Sequence, residues 1–569
     1  MLQANFWERT AGSATPRGDQ EISTAFFGPS AWQRSTERKF DNLAFAVIAA
    51  IAMLSVFTFR DYGLGWDDYT HAEYGGLLLR LYESGFSDRR ALSFVNLYAY
   101  GGGFDMFAAL VAKILPFDLF ETRRLCGAMV GLIGMIITWR IGRRIGGPLA
   151  GLIALVLLAT CPLYYGHMFI NAKDSPFAVA MVVMLLGLIR AFEEYPSPSP
   201  TVIAIFSIGL GLSIGTRVLG DLAPLYALAG LAFVAAAETR QLGGFGPARQ
   251  RALHFIVALL PGLVLAYAVM ALIWPWSVVS PFNPLRALAY FSHFFEKPWK
   301  EMFAGVPVAV PDMPRTYVPQ LFLLTMPVVF LLLGAGGIAG ALAIVARRNV
   351  AIGKRAGLLV LVMAATTPII IALLTRPAMY NGIRHFVFLA PPFALLGGLA
   401  GAWVVARAAL ASRVAGAAVT IVIGIGLLLP ISDMIRLHPY EYTHFIRIAG
   451  GVRAADDRYM LDYWGLAFKQ AAEALRAKLT ERLEAPSASH RWRIAVCGPQ
   501  RPAQIEPGPE FVTSGDPAGA DFAMMLGEFY CLKLNAPILV EIERDGVVFA
   551  RVYDIRGRSI TSLLTLPAP

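Results

Sequence analysis

Trp66-Asp67-Asp68-Tyr69-Thr70-His71-Ala72-Glu73-Tyr74 follows directly on a hydrophobic stretch, Leu43 to Phe59, that is long enough to cross a bilayer. Carboxylates are costly to hold beside hydrocarbon, so two of them at the mouth of a membrane helix read as a functional site. The chemistry open to Asp67 and Asp68 is proton transfer or metal binding. Glu73 falls off their helical face and is a lesser substrate-site candidate. A further carboxylate, Asp174, stands beside Lys173 in Asn171-Ala-Lys-Asp-Ser-Pro176. Each has a plain alternative: Asp favours helix starts, and Ser175-Pro176 marks one. These acids and the nearby histidines do not follow a known metal-ligand spacing, but a divalent ion shared by Asp67 and Asp174 stays open.

The elements that position these residues are membrane helices. Of 569 residues 56% are hydrophobic and 15% charged, with mean hydropathy +0.57. Ordinary soluble proteins carry about 25% charged residues. The net charge of +10 does not point to nucleic acid, because membrane proteins gather Lys and Arg in cytoplasmic loops. Residues 1–40 are too long and polar for a cleaved signal peptide and read as a cytoplasmic segment. About eleven spans are expected: 41–59, 124–142, 148–165, 175–192, 201–216, 221–237, 253–274, 321–346, 356–374, 386–406 and 414–432.

Basic clusters follow spans two, six, eight and ten. They are Arg140, Arg143 and Arg144; Arg240, Arg249 and Arg251; Arg347, Arg348, Lys354 and Arg355; and Arg407 and Arg413. All fall on the side of the amino terminus, as the positive-inside rule requires. The other face receives outer loop one (60–123), the turn 166–174, the long outer loop 275–320, the turn 375–385 and the tail. His71, His167, His293, His385, His438 and His444 fall there or at its rim. In loop one, Tyr74, Leu77, Leu78, Leu81 and Tyr82 recur at helical spacing, and Asp105 to Leu119 reads as a second amphipathic helix ending at Pro116. Both are expected to lie in the membrane interface.

The tail, 433–569, reads as a small α/β domain outside the membrane. It has a helix over 466–483, a strand at 493–497, and strands 538–543 and 547–553 about the turn Asp545-Gly546. Cys497 and Cys531 would face an oxidising compartment and can pair there. Tyr440, Tyr442, Tyr463 and Trp464 are expected to form an interfacial aromatic belt.

The ordered set of motifs resembles the GT-C membrane glycosyltransferases, and most nearly the bacterial protein O-mannosyltransferase and aminoarabinose-transferase group. The set comprises Asp67-Asp68 opening loop one, Trp139-Arg-Ile-Gly-Arg-Arg144 with Gly147-Pro-Leu-Ala-Gly151, and the acid before Pro176. It continues through Arg315-Thr-Tyr-Val-Pro319, Thr325-Met-Pro327, Arg384-His385-Phe386 with Pro391-Pro392, His438-Pro-Tyr-Glu-Tyr442 and Asp462-Tyr-Trp-Gly465. The similarity spans roughly 40–470. The family has Asp-Glu where this chain has Asp67-Asp68. The resemblance implies a GT-C transmembrane domain over 41–432 and transfer of a single sugar from a polyprenyl-phosphate carrier to an acceptor hydroxyl, with inversion. The acceptor would be a glycolipid, lipopolysaccharide, polysaccharide or protein, at the outer face of a bacterial inner membrane. It further implies Asp67 as general base with Asp68 beside it. Arg384, Arg315 and Lys173 would take the donor phosphate, with Arg376 and Arg217 also near the outer face. Asp174, His385 and Tyr317 would line the substrate site.

Two other classes compete. A secondary transporter suits the span count, but such folds show internal repeats, and none is visible here. A ligase moving a whole glycan or a phospho-sugar from a lipid carrier would use similar outer loops.

Overall fold

Outside residues 1–33, 218–219, 221, 293–298, 487–490 and 566–569, every residue is described by the computed structural model; His293 lies outside the described residues. The hydrophobic runs become helices where expected. They are α1 (Arg34–Thr58), α4 (Leu119–Ala159), α5 (Pro162–Ile170), α6 (Asp174–Glu193), α7 (Pro200–Thr216), α8 (Leu222–Gln241) and α9 (Phe245–Ile273). After the long loop come α11 (Tyr317–Thr325), α12 (Val328–Ala346), α13 (Ile352–Thr375), α14 (Ala390–Ala411) and α15 (Arg413–Leu437). Among the described residues nine helices are long and apolar enough to cross a membrane, and α7 is a shorter apolar one. The chain is a multi-pass membrane protein.

Two of the expected continuous spans are broken. The run read as 148–165 is the second half of α4, turned at Gly147 (φ 84°), and ends before α5. The run read as 321–346 is two helices, α11 and α12, parted at Met326-Pro327. Proline lacks an N–H and pushes its predecessor out of the α region, so Met326 is extended.

Ion pairs tie the ends of packed helices together. Arg143 pairs with Asp41 and Arg144 with Glu193, joining the end of the first half of α4 to the start of α1 and the end of α6. Arg251 of α9 pairs with Glu238 of α8. These pairs hold the Arg143-Arg144 end of the first half of α4 against α1 and α6, and the Arg251 end of α9 against α8. The faces of α1, α9 and α15 expose Phe57, Val264, Val422 and Ile435, which suits contact with lipid rather than water.

Loop one folds into α2 (Asp68–Glu83) and α3 (Gly103–Val111). Tyr74, Leu77, Leu78 and Leu81 of α2 pack on Ala91 and Leu97, so protein covers the apolar stripe. The second helix stops at Val111, earlier than Pro116. The long loop supplies α10 (Asn283–Ser292) and a hairpin of β1 (Lys300–Phe303) and β2 (Val306–Ala309). The tail supplies α16 (Ala467–Glu481) and five strands: β3 (Trp492–Cys497), β4 (Phe511–Ser514), β5 (Phe522–Leu526), β6 (Ile538–Arg544) and β7 (Val547–Asp554). Their order is β4-β3-β5-β7-β6, with β3 parallel to β4 and β5 and the remainder antiparallel. The β6–β7 turn places Asp545 and Gly546 at positive φ, the conformation that Asp-Gly favours. Cys497 and Cys531 form a disulfide.

Candidate active site

Asp67 and Asp68 share a helix start but not an environment. Asp67 precedes the first residue of α2, and its carboxylate is 41% exposed. Asp68 is buried. Arg124 of α4 grips both its oxygens, at 2.8 and 2.7 Å, and the Gly65 N–H donates to it at 2.7 Å. Two parallel N–H···O bonds make this pair directional, so it fixes α2 against α4. A neighbouring buried set repeats the device: His71 of α2 and Arg123 of α4 each lie 2.6 Å from the Asp105 carboxylate of α3.

Cations surround Asp67. Lys173 Nζ lies 3.9 Å and Arg384 Nη1 3.7 Å from its Oδ2. Burial would raise the Asp67 pKa, but Lys173 and then Arg384 outweigh it and hold the carboxyl below the usual range. Lys173 is delivered by the turn before α6. There the Asn171 side-chain oxygen accepts from the N–H groups of Lys173 and Asp174, satisfying the exposed donors of a helix start. Asp174 is buried, 2.6 Å from Arg217 at the end of α7, and accepts from Asn171 at 2.7 Å. Both helix ends thus meet beside Asp67. Arg384 opens a 3-10 turn before α14 and donates to the Tyr380 hydroxyl at 3.0 Å.

The tail returns to this cluster. The Arg384 guanidinium lies 4.8 Å from the Trp464 ring and 5.0 Å from the Tyr380 ring. The Trp66 N–H donates to the Trp464 carbonyl, and any Cβ at Gly65 would run into the indole. Tyr463 bonds His167, which contacts Asn171 beside Asp174. The expected aromatic belt is therefore corrected. Tyr440, Tyr442, Tyr463 and Trp464 are all buried, because Asp462 accepts from the Tyr442 hydroxyl and from three backbone N–H groups and folds the segment inward.

Other candidates stand elsewhere. Arg315 is exposed and donates to the Leu374 carbonyl at the end of α13, with Arg376 turned to the Met313 carbonyl. Tyr317 is buried, its hydroxyl given to Glu301 at 2.9 Å. Glu73 is exposed on the outward side of α2. His385 packs edge-on to Tyr380 at the rim of the cluster. Asp67 and Asp174 both turn to cations, and among the described residues no group of three His, Cys, Asp or Glu side chains converges to hold a metal ion. Arg217, Trp464, Tyr380, Arg124 and Glu301 are the residues that sequence reasoning underweighted. Adjacent Arg123 and Arg124 at the outer mouth of a span run against the positive-inside rule, and that is the signal that each answers a buried acid.

Residues 103–276 match the family model described as dolichyl-phosphate-mannose-protein mannosyltransferase. That segment holds Lys173, Asp174 and Arg217; Asp67 and Arg384 lie outside it. No curated protein matches the chain. Among solved structures, it is similar to ArnT from Cupriavidus metallidurans bound to undecaprenyl phosphate, at 16% identity and TM-score 0.45, covering 93% of this chain and 99% of that one. It is also similar to the Archaeoglobus fulgidus oligosaccharyltransferase in the apo form, at 14% identity and TM-score 0.47, covering 84% and 65%. A third match is archaeal oligosaccharyltransferase AglB from Archaeoglobus fulgidus in complex with an inhibitory peptide and a dolichol-phosphate, at 13% identity and TM-score 0.44, covering 85% and 69%.

Proposed function

We propose that this protein is an inverting membrane glycosyltransferase that moves one sugar from a polyprenyl-phosphate donor to an acceptor hydroxyl. The family match over 103–276 supports the class of enzyme. The observation that carries the reading is Asp67, a partly exposed carboxylate with Lys173 and Arg384 within 4 Å.

Asp67 accepts the acceptor hydroxyl's proton as the oxygen attacks the anomeric carbon. The bond from that carbon to the carrier phosphate breaks on the opposite side, and the phosphate leaves with the electron pair. Lys173, Arg384 and Arg217 take up the charge that develops on it. Arg384 brings a planar fork suited to phosphate. Its ring partners Trp464 and Tyr380 keep that fork in place. Asp68, held by Arg124, positions Asp67 and transfers no proton. The transfer takes place at the outer face of a bacterial inner membrane, a reading that the positive-inside pattern supports.

The test is transfer from a panel of polyprenyl-phosphate sugars by purified protein in nanodiscs, with and without a chelator. Wild type consumes one donor, and Asp67→Asn, equally folded, loses about a hundredfold or more in rate. Chelator sensitivity decides whether a divalent ion takes part. An Asp67→Asn variant with wild-type rate would overturn the base assignment.

A further inference from the structure

The long outer loop reaches the cluster at β1, where Glu301 turns toward it. In β1, alternation turns Glu301 and Phe303 inward and Lys300 outward. Glu301 is 3% exposed. Its carboxylate accepts from the Asn381 N–H at 2.7 Å, the Gly382 N–H at 3.3 Å and the Tyr317 hydroxyl at 2.9 Å. Asn381 and Gly382 are both left-handed, at φ 56° and 63°. Successive N–H groups in such a turn point to one side and form a nest for an anion, and Glu301 fills it. The nest lies between Tyr380 and Arg384, which bond to each other. Trp299, at the foot of β1, packs edge-on against the Tyr380 ring.

A buried carboxylate is retained at a cost unless donors satisfy it. Burial lifts the Glu301 pKa to about 7, against the pull of the Asn381, Tyr317 and Gly382 donors and of Arg384. An apolar residue would fill this space without that cost but would leave two backbone N–H groups unanswered and the turn free to relax from its left-handed form.

We propose that Glu301 is a positioning residue for the donor phosphate: its buried carboxylate pins the turn 380–384 and so sets where the Arg384 guanidinium stands against Asp67. This role rests on the phosphate reading of Arg384 given above. Glu301 itself touches neither the donor nor the acceptor. The hairpin's part in the enzyme is to carry this carboxylate under the turn.

A double-mutant cycle read by equilibrium binding of undecaprenyl phosphate in nanodiscs tests it, with no dependence on turnover. Glu301→Gln is expected to weaken binding roughly tenfold in the wild-type background and less than about twofold in an Arg384→Ala background, because the two act through one guanidinium. Tyr317→Phe removes one of the donors to Glu301 and is expected to weaken binding by a few-fold, again only where Arg384 is present. It serves as the second variant if Glu301→Gln does not fold. Equal losses in both backgrounds, or Glu301→Gln and Tyr317→Phe both binding as wild type while Arg384→Ala weakens binding, would overturn the positioning role alone. Unchanged binding in Arg384→Ala would instead remove the phosphate reading and this role with it.

Discussion

At the scale of single residues, two adjacent aspartates divide into an exposed one and a buried one, and substitution separates them. Asp67→Asn is expected to keep the melting temperature while transfer collapses. Asp68→Asn leaves Arg124 buried and half-paired. Removing one partner of a buried ion pair costs about 3–5 kcal/mol, so Asp68→Asn is expected to lower the melting temperature and the yield of folded protein. Thermal unfolding in detergent, run beside the transfer assay, distinguishes the two. A stable Asp68→Asn protein would show that the Arg124 pair is not a brace. The acidic pair was legible in the sequence because carboxylates beside a span are costly. Which of the two faces the open site was not, since Arg124 lies 56 positions away along the chain and only folding brings it to Asp68.

At the scale of elements, short connections do the positioning. The segment 62–68 runs under Trp464 with no room for a side chain at Gly65. Gly65→Ala is therefore expected to displace the indole from Arg384 and cut transfer by tenfold or more, with the membrane helices intact. Activity and circular dichroism measured together check this; full activity in Gly65→Ala would refute the packing. A second junction joins the end of α15 to loop one. His438 lies 2.6 Å from Glu441 and 2.9 Å from Asp61, and Tyr62 also donates to Glu441. Burial would lower the His438 pKa, but Glu441 and Asp61 outweigh it and raise it. A raised folded pKa means the junction adds stability fully below the unfolded value, about 6.5, and loses it as pH rises through the folded value. His438→Gln is accordingly expected to lower the melting temperature more at pH 6 than at pH 9; an equal loss at both would count against the charged form. Helices over hydrophobic runs and the Asp545-Gly546 hairpin follow from local pattern. The breaks at Thr160-Cys161 and Met326-Pro327 were harder to read, because a proline inside an apolar run can be tolerated, start a helix or divide one, and neighbours decide.

At the scale of the whole molecule, membrane helices and tail share one hydrophobic core that runs from Ala44 to Val552. Ion pairs at helix ends join α4 to α1 and α6 at one end of α6, and α6 to α7 beside the Asp67 cluster at its other end. Cysteines introduced at Gln241 and at Ser87, both exposed, are expected to react with an impermeant maleimide from opposite sides of the membrane: Gln241→Cys from the cytoplasm and Ser87→Cys from outside. Labelling of both from one side would refute the topology. The sequence by itself determined the membrane class, the hydrophobic runs that become helices, and the loop that carries the acidic pair Asp67-Asp68. Those rest on hydropathy, charge and adjacency, which are properties of neighbours in the chain. Only the tertiary structure decided that Arg384 and Lys173 face Asp67 while Arg315 does not, that Arg124 grips Asp68, and that Trp464 packs on Arg384 rather than in a lipid belt. Each of those depends on pairs far apart in sequence, and whether a buried charge or aromatic ring serves the site or the scaffold is set by the partner that folding places beside it.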